Sequence, residues 1–316
     1  MTTDISSPAV LPASLAATRR RHGRWWKILL VGIALWAASV VVTGVTLNVN
    51  LVPTIILIGS FLVPFVVTVF ATERTINVTA IRFLLAFAVG GVCGVLGASL
   101  LEYQLMSSAL LFVLVGAIEE GVKLVVLVVI GWGVHPKTAR QGALLGAVVG
   151  AGFSAFESAG YAFSSAIAGR GISLTNLVET ELVRAFLSPL GHILWTAILG
   201  AVLFGVAAKT GRFRWSWAVP VAFVGVALLH ALWDSAGALG ELIARAILGA
   251  PTPTPFGSLT PDDGALSGLT LGFFIGLLAV TAIVGILALV LSLRHFRSRT
   301  AGSLAESDGL VAPRTR

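Results

Sequence analysis

Residues 107–133 read SSALLFVLVGAIEEGVKLVVLVVIGWG. The run is long enough to cross a bilayer, which takes about 20 apolar residues. Its middle nevertheless holds Glu119, Glu120 and Lys123. A charged side chain at bilayer depth costs at least ~2.5–3.5 kcal/mol even on the lenient insertion scales. An apolar span that carries such a cluster needs a use for it.

The rest of the chain is as apolar as this stretch. Of its 316 residues 57% are hydrophobic and 11% charged, whereas a soluble domain carries about a quarter charged residues. The deficit is spread along the whole sequence, which indicates an all-α, polytopic transmembrane helix bundle. The single cysteine, Cys93, excludes an internal disulfide and a cysteine-built metal site. A net charge of +7 could suggest nucleic acid, but the basic residues cluster at the chain ends and in short loops between apolar runs. That is the distribution of cytoplasmic membrane flanks, so no nucleic-acid partner is expected and the lipid bilayer is.

About eight spans can be counted, over 28–48, 51–72, 80–101, 107–133, 141–168, 186–208, 216–239 and 268–293. The connectors alternate in charge. RRRHGRWWK (19–27), Arg74 and Arg82, Lys137 and Arg140, Lys209 to Arg214, and Arg294 to Arg299 fall on one side. Glu102, Glu179, Glu181, Asp262 and Asp263 fall on the other. The bias of Lys and Arg toward cytoplasmic loops puts both termini inside. Residues 1–26 read as a disordered basic tail, 27–295 as the membrane domain with its motif-bearing core at about 75–240, and 296–316 as a second disordered tail. Residues 170–185 suit a short helix on the outer surface. Residues 250–267, rich in Pro and Asp, suit an exposed loop.

Ionisable residues are concentrated on four consecutive spans: Glu119, Glu120 and Lys123 on the fourth, Glu157 on the fifth, His192 on the sixth, His230 and Asp234 on the seventh. Glu119 and Lys123, and likewise His230 and Asp234, are four apart and share a helix face. Phe153, Glu157 and Tyr161 form another such stripe. At ~1.5 Å per residue, Glu157, His192 and His230 lie roughly 5–10 Å below the outer edge of a ~30 Å core. One shared interior site in the outer half of the membrane is the expectation. Four carboxyls facing Lys123 alone cannot all stay ionised in a low-dielectric interior. Protons, a bound cation or water must compensate, and each suits catalysis.

EEGVK (119–123) fits an EExxK signature, FSAFE (153–157) fits FxxxE, and HALWD (230–234) fits HxxxD, in order on successive spans. Together with RAFLSPLGHILWT (184–196) they resemble the PrsW family of intramembrane proteases, relatives of the CAAX prenyl protease superfamily. Those CAAX-type relatives end the second motif in histidine where this chain has Glu157, which favours the PrsW branch. A composition heavy in Ala, Gly, Val and Arg is compatible with a bacterial cytoplasmic membrane, and the resemblance implies an intramembrane endopeptidase. It would cut single-span membrane proteins, such as an anti-sigma factor, near the extracytoplasmic side.

Peptide hydrolysis then assigns candidate roles. Glu119 or Glu120 activates the water, and Lys123 holds the glutamate pair in place. His230 ligates a metal or stabilises the oxyanion, and Asp234 either orients it or pairs with Lys123. Glu157 and His192 complete the site. Glu157, His192 and His230 are the candidate ligands for Zn2+, with a metal-free glutamate–histidine pair as the alternative and no organic cofactor. Phe153, Trp195 and Trp233 are expected to pack, Tyr161 to lie outside the site, and Arg184 is left unassigned. The glycines of GALLGAVVGAG (142–152) are expected to allow close helix approach. The competing readings are a proton- or cation-coupled transporter built on the same cluster and a non-catalytic membrane scaffold. The absence of an evident repeat speaks against the first, and the intact motifs against the second.

Overall fold

Helix α5 (Ala139–Ile167) carries glycine at 142, 146 and 150, four apart and so on one face. A β-carbon at these positions would lie 2.0 Å from the carbonyl oxygen of Gly200, 2.1 Å from that of Thr196 and 2.3 Å from that of His192. All three carbonyls belong to α7 (His192–Ala207), so the two backbones meet without side chains between them. Gly152 opens a different face of α5 in the same way. A β-carbon there would sit 2.0 Å from the carbonyl oxygen of Phe87, on α3 (Ala80–Glu102). Without a hydrophobic force between helices in lipid, such close backbone packing is what holds spans together.

The computed structural model describes residues 23–75, 77–103, 110–169, 171–250 and 264–309; every regular element among them is a helix. Besides α3, α5 and α7 these are α1 (Trp25–Thr46), α2 (Val52–Glu73), α4 (Leu111–Gly131), α6 (Leu174–Leu187), α8 (Ala218–Asp234), α9 (Ala236–Leu248) and α10 (Gly264–Gly309). α5 sits at the centre, against α7, α3, α2 and α6, while α4 packs between α3 and α8 and α10 closes the bundle on α7 and α9. α1 lies at the periphery and exposes most of its side chains.

Among the described residues six stretches are long and apolar enough to cross a membrane, and α8 with α9, bent by 59°, makes a seventh. α4 has 21 residues, ~30 Å at 1.5 Å per residue, and differs only in carrying Glu119, Glu120 and Lys123. The protein is thus an all-α, multi-pass bundle of about eight spans. Its polarity is inside out relative to a soluble protein: Gly116, Glu119, Glu120, Lys123 and Leu127 form the buried face of α4, whereas Val125 and Val129 are 63% and 65% exposed.

Three segments depart from the sequence expectation. The helix expected on the surface over 170–185 is α6, and it is packed into the bundle with Leu177 and Glu181 buried. The Ser173 hydroxyl caps it by accepting from the Asn176 N–H at 3.2 Å. It continues through a 3-10 turn at Ser188–Leu190 into α7, so the sixth span begins about a dozen residues earlier than expected (Leu174–Ala207). The seventh span breaks at Ser235, whose hydroxyl bonds the Leu232 carbonyl at 3.3 Å. Serine's competing bonds to backbone disfavour an uninterrupted helix, and α9 carries on to Leu248 at a new angle. α10 extends past both expected ends of the last span. The stretches 1–22, 251–263 and 310–316, which hold most of the expected tails and loop, lie outside the described residues.

Lys137, counted above as a loop charge, is buried. Its ammonium donates to the carbonyls of Gly131, Trp132 and Val134 at 2.9, 2.8 and 2.9 Å. It thereby caps the last turn of α4, where free carbonyls and the helix dipole favour a cation. Burial, and after it the positive charge of Arg82, hold its ammonium below the usual lysine range.

Candidate functional site

The buried face of α4 projects Glu119, Glu120 and Lys123 toward α5, α7 and α8. Glycine again sets the spacing: a β-carbon at Gly116 would lie 2.6 Å from the Ala227 carbonyl oxygen and 3.3 Å from His230 Cβ. α8 therefore comes close enough for His230 to reach Glu120. Across the bundle, the contact of Gly150 with the His192 carbonyl fixes the imidazole of α7 against α5.

Lys123 is the hub. Its ammonium lies 3.0 Å from Glu119 Oε2, 2.8 Å from Glu120 Oε1 and 2.8 Å from His192 Nδ1, and 3.7 Å from the centre of the Phe153 ring. An ammonium has three donors and no acceptor, so all three are used and Nδ1 of His192 must accept. The proton of that imidazole is then on Nε2, which donates to Glu157 Oε2 at 2.9 Å. Glu157 also accepts from Arg184 on α6, whose Nε donates to the Ser158 hydroxyl at 2.9 Å.

On α8, His230 lies between two carboxylates, with Nδ1 3.1 Å from Glu120 Oε1 and Nε2 3.2 Å from Asp234 Oδ2. With both carboxylates ionised the ring must donate twice, as an imidazolium. Asp234 pairs with His230, as one of the two expected roles had it, and not with Lys123. Trp195 stacks on His230 at 4.6 Å and meets His192 edge-on at 5.3 Å, which shields both rings from lipid and water.

All seven residues singled out in the sequence therefore meet: Glu119, Glu120, Lys123, Glu157, His192, His230 and Asp234. They do not share one exposure. Glu120 is 0% exposed and Glu119 7%. Glu119 lines a cavity of about 310 Å³ together with Glu102, Phe153, Phe156, Glu157 and Tyr161.

Three members of the site were not assigned from sequence. Arg184 supplies a second fixed cation, which cuts the charge deficit around the four carboxyls. Tyr161, expected outside, lines the cavity, with the Arg184 guanidinium 4.7 Å from its ring centre. The signal was the stripe of Phe153, Glu157 and Tyr161 at helical spacing. Glu102, counted as an outer-side charge, ends α3 in the cavity wall with Oε1 buried and without a hydrogen-bond partner among the described residues. A lone acid at the end of an apolar run carries no local sign of this.

Glu119, His192 and His230 offer one donor atom each, all within 4.8 Å of one another. Carboxylate and imidazole donors are the set that hydrolytic zinc sites use, so the donor types fit a divalent metal; to hold one, His192 Nδ1 would exchange its contact with Lys123 for the ion and His230 would give up a proton. Glu157, expected among the ligands, stands on the other ring nitrogen of His192 and is held by Arg184.

A family model described as PrsW family intramembrane metalloprotease matches residues 23–256, well over half of the chain. The match takes in α1 and α2 as well as every motif-bearing span. No curated protein and no solved structure matches the chain. A peptidase motif set that converges on one buried site, in a multi-pass bundle that this model covers from α1 to α9, settles the affiliation: the chain belongs to the PrsW family of intramembrane metalloproteases.

Proposed function

We propose that this intramembrane peptidase is glutamate/histidine-dependent, with Glu119 as the group that takes the proton of the attacking water. One observation carries this reading. Of the two adjacent glutamates, only Glu119 lines the cavity, while Glu120 lies behind it between Lys123 and His230. A base must reach the water it activates.

The chain's own groups then divide the work. A peptide carbonyl enters beside Glu119, and the water O–H bond breaks as its proton passes to that carboxylate. The oxygen attacks the carbonyl carbon, the C–N bond opens, and Glu119 returns the proton to the leaving amine. Lys123 and His230 hold the glutamate pair in place before the step. Asp234 keeps His230 in orientation, and Glu157 with Arg184 does the same for His192. Zn2+ would be held by Glu119, His192 and the neutral form of His230, and would supply Lewis-acid polarisation of a carbonyl and a more acidic bound water.

The substrate we propose is a membrane-anchored protein with a single span, cut near the extracytoplasmic side in a bacterial cytoplasmic membrane. Both termini of the protease lie in the cytoplasm in this reading. What supports the side is the alternation of basic connectors and the depth of the cluster counted from the loop ends. An anti-sigma factor, the substrate type the family resemblance implies, is the first to assay. The test is cleavage of tagged single-span proteins in membranes by wild type, Glu119→Gln and His230→Ala. Cleavage surviving in either variant overturns the assignment.

A further inference from the structure

A second buried carboxyl lies away from the site. Glu181 on α6 is 2% exposed, and its Oε2 accepts from the indole N–H of Trp36 on α1 at 2.6 Å. Its Oε1 is buried and has no hydrogen-bond partner among the described residues. Gly59 on α2 makes the room, since a β-carbon there would lie 2.3 Å from the Glu181 carboxyl. The group sits in a cavity of about 280 Å³ between α1, α2 and α6, lined otherwise by apolar side chains that include Ile33, Leu62, Leu182 and Phe186. Leu182 and Phe186 are 44% and 77% exposed, so the cavity opens on the outer face of the bundle, where acyl chains lie in a membrane.

No cation pairs with Glu181 among the described residues. An ionised carboxylate without a partner in such surroundings costs several kcal/mol, so the group keeps its proton. Trp36 donates to Oε2, which leaves the proton on Oε1 as a donor with no acceptor. An occupant must therefore bring an acceptor oxygen at one end and hydrocarbon along the rest. Water meets the first need but not the second, because apolar cavities stay dry. A transmembrane helix meets the second but not the first, because its carbonyls are already bonded within the helix.

We propose that this groove binds a glycerolipid of the surrounding bilayer, with an acyl-ester carbonyl accepting from Glu181 and the chain lying along Ile33, Leu62 and Leu182. The assignment stands apart from the proteolytic reading, since no group of the catalytic cluster takes part.

The test uses the full chain in phosphatidylcholine nanodiscs doped with a phosphatidylcholine that carries a diazirine on its acyl chain. After irradiation, adducts are mapped by mass spectrometry. Adducts should concentrate on peptides of α1, α2 and α6 that flank the groove, above those on lipid-facing α4 around Val125 and Val129. Gly59→Leu, which fills the groove, should abolish the excess. Glu181→Leu, which keeps the volume and removes the donor, should lower it about five-fold, as loss of one hydrogen bond implies. Glu181→Gln, which can still donate, should keep most of it. Labelling spread evenly over the exposed faces overturns the proposal, as does an excess that survives Glu181→Leu. Equal labelling by an ether-linked analogue overturns the ester assignment. If benzoylphenylalanine placed at Phe186 captures a single-span protein in preference to lipid, the groove serves a substrate helix instead.

Discussion

The ammonium of Lys123 and Nδ1 of His192 lie 2.8 Å apart, and that contact joins the two halves of the site. On one side Lys123 neutralises Glu119 and Glu120; on the other His192 donates its remaining N–H to Glu157. The lysine is thus the central cation of the cluster rather than an ornament of one helix.

Replacing Lys123 by methionine should therefore be costly. It leaves two buried carboxylates and an imidazole nitrogen without their donor, and breaking a buried pair in this way costs about 3–5 kcal/mol. Thermal unfolding in detergent should show a large drop in Tm. The double variant Lys123→Met with Glu120→Gln, which removes a charge of each sign, should recover part of it. Equal melting of wild type and Lys123→Met would contradict the hub role.

The two glutamates should part company on stability. Glu119→Gln should lower kcat by about 10²–10⁴, the range for losing a general base, with a smaller fall in Tm than Glu120→Gln, because its side chain faces the cavity and the glutamine can still accept from Lys123. Glu120→Gln should lower Tm as well, because its Oε1 accepts from both Lys123 and His230. If Glu120→Gln melts like wild type while Glu119→Gln is the less stable of the two, the division of roles is reversed.

Arg184 should act through Glu157 and His192. Arg184→Leu frees the Glu157 carboxylate to turn away, and loss of such an outer partner typically costs about 10–100-fold in activity. The fall should appear in kcat more than in KM. Arg184→Lys should restore part of it, as a shorter point charge can keep the ion pair but not the Nε bond to Ser158.

A metal content of about one per chain, with zinc as the ion, is expected from elemental analysis of the detergent-purified protein. His192→Ala and His230→Ala should each lower it by at least about ten-fold, since each removes a donor of the three-residue cluster. Full retention in both would place the ion elsewhere.

Gly150→Val tests the α5–α7 seam. The added side chain meets the His192 carbonyl at 2.3 Å, which is backbone and cannot swing aside, so overpacking of about 1–3 kcal/mol or more is expected. Gly225→Ala on α8, with nothing within 4 Å of the added carbon, is the control that should leave Tm unchanged or raised.

A bundle of about eight spans, and the seven polar residues that it brings together, were legible in the sequence, because both signals are local. A run of about 20 apolar residues is long enough to span by itself, and a buried ionisable group shows up as an exception within such a run. Spacing of three and four along one helix also gave the shared faces of Glu119 with Lys123 and of His230 with Asp234. The glycines at 142, 146 and 150 were readable as a contact face too, but not which helix they receive.

What crosses between helices was decided only by tertiary structure. Arg184 is an ordinary charge in an outer segment until α6 packs inward and sets it on Glu157. Glu102 ends one apolar run among several until α3 turns its last residue into the cavity wall. The choice between Glu119 and Glu120 is of the same kind: adjacent residues differ by ~100° around a helix, and only the position of α3, α5 and α8 determines which direction is open. The sequence alone determined that costly charges gather on four spans; the packing of small-residue faces determined which charge neutralises which, and which one is left facing the cavity.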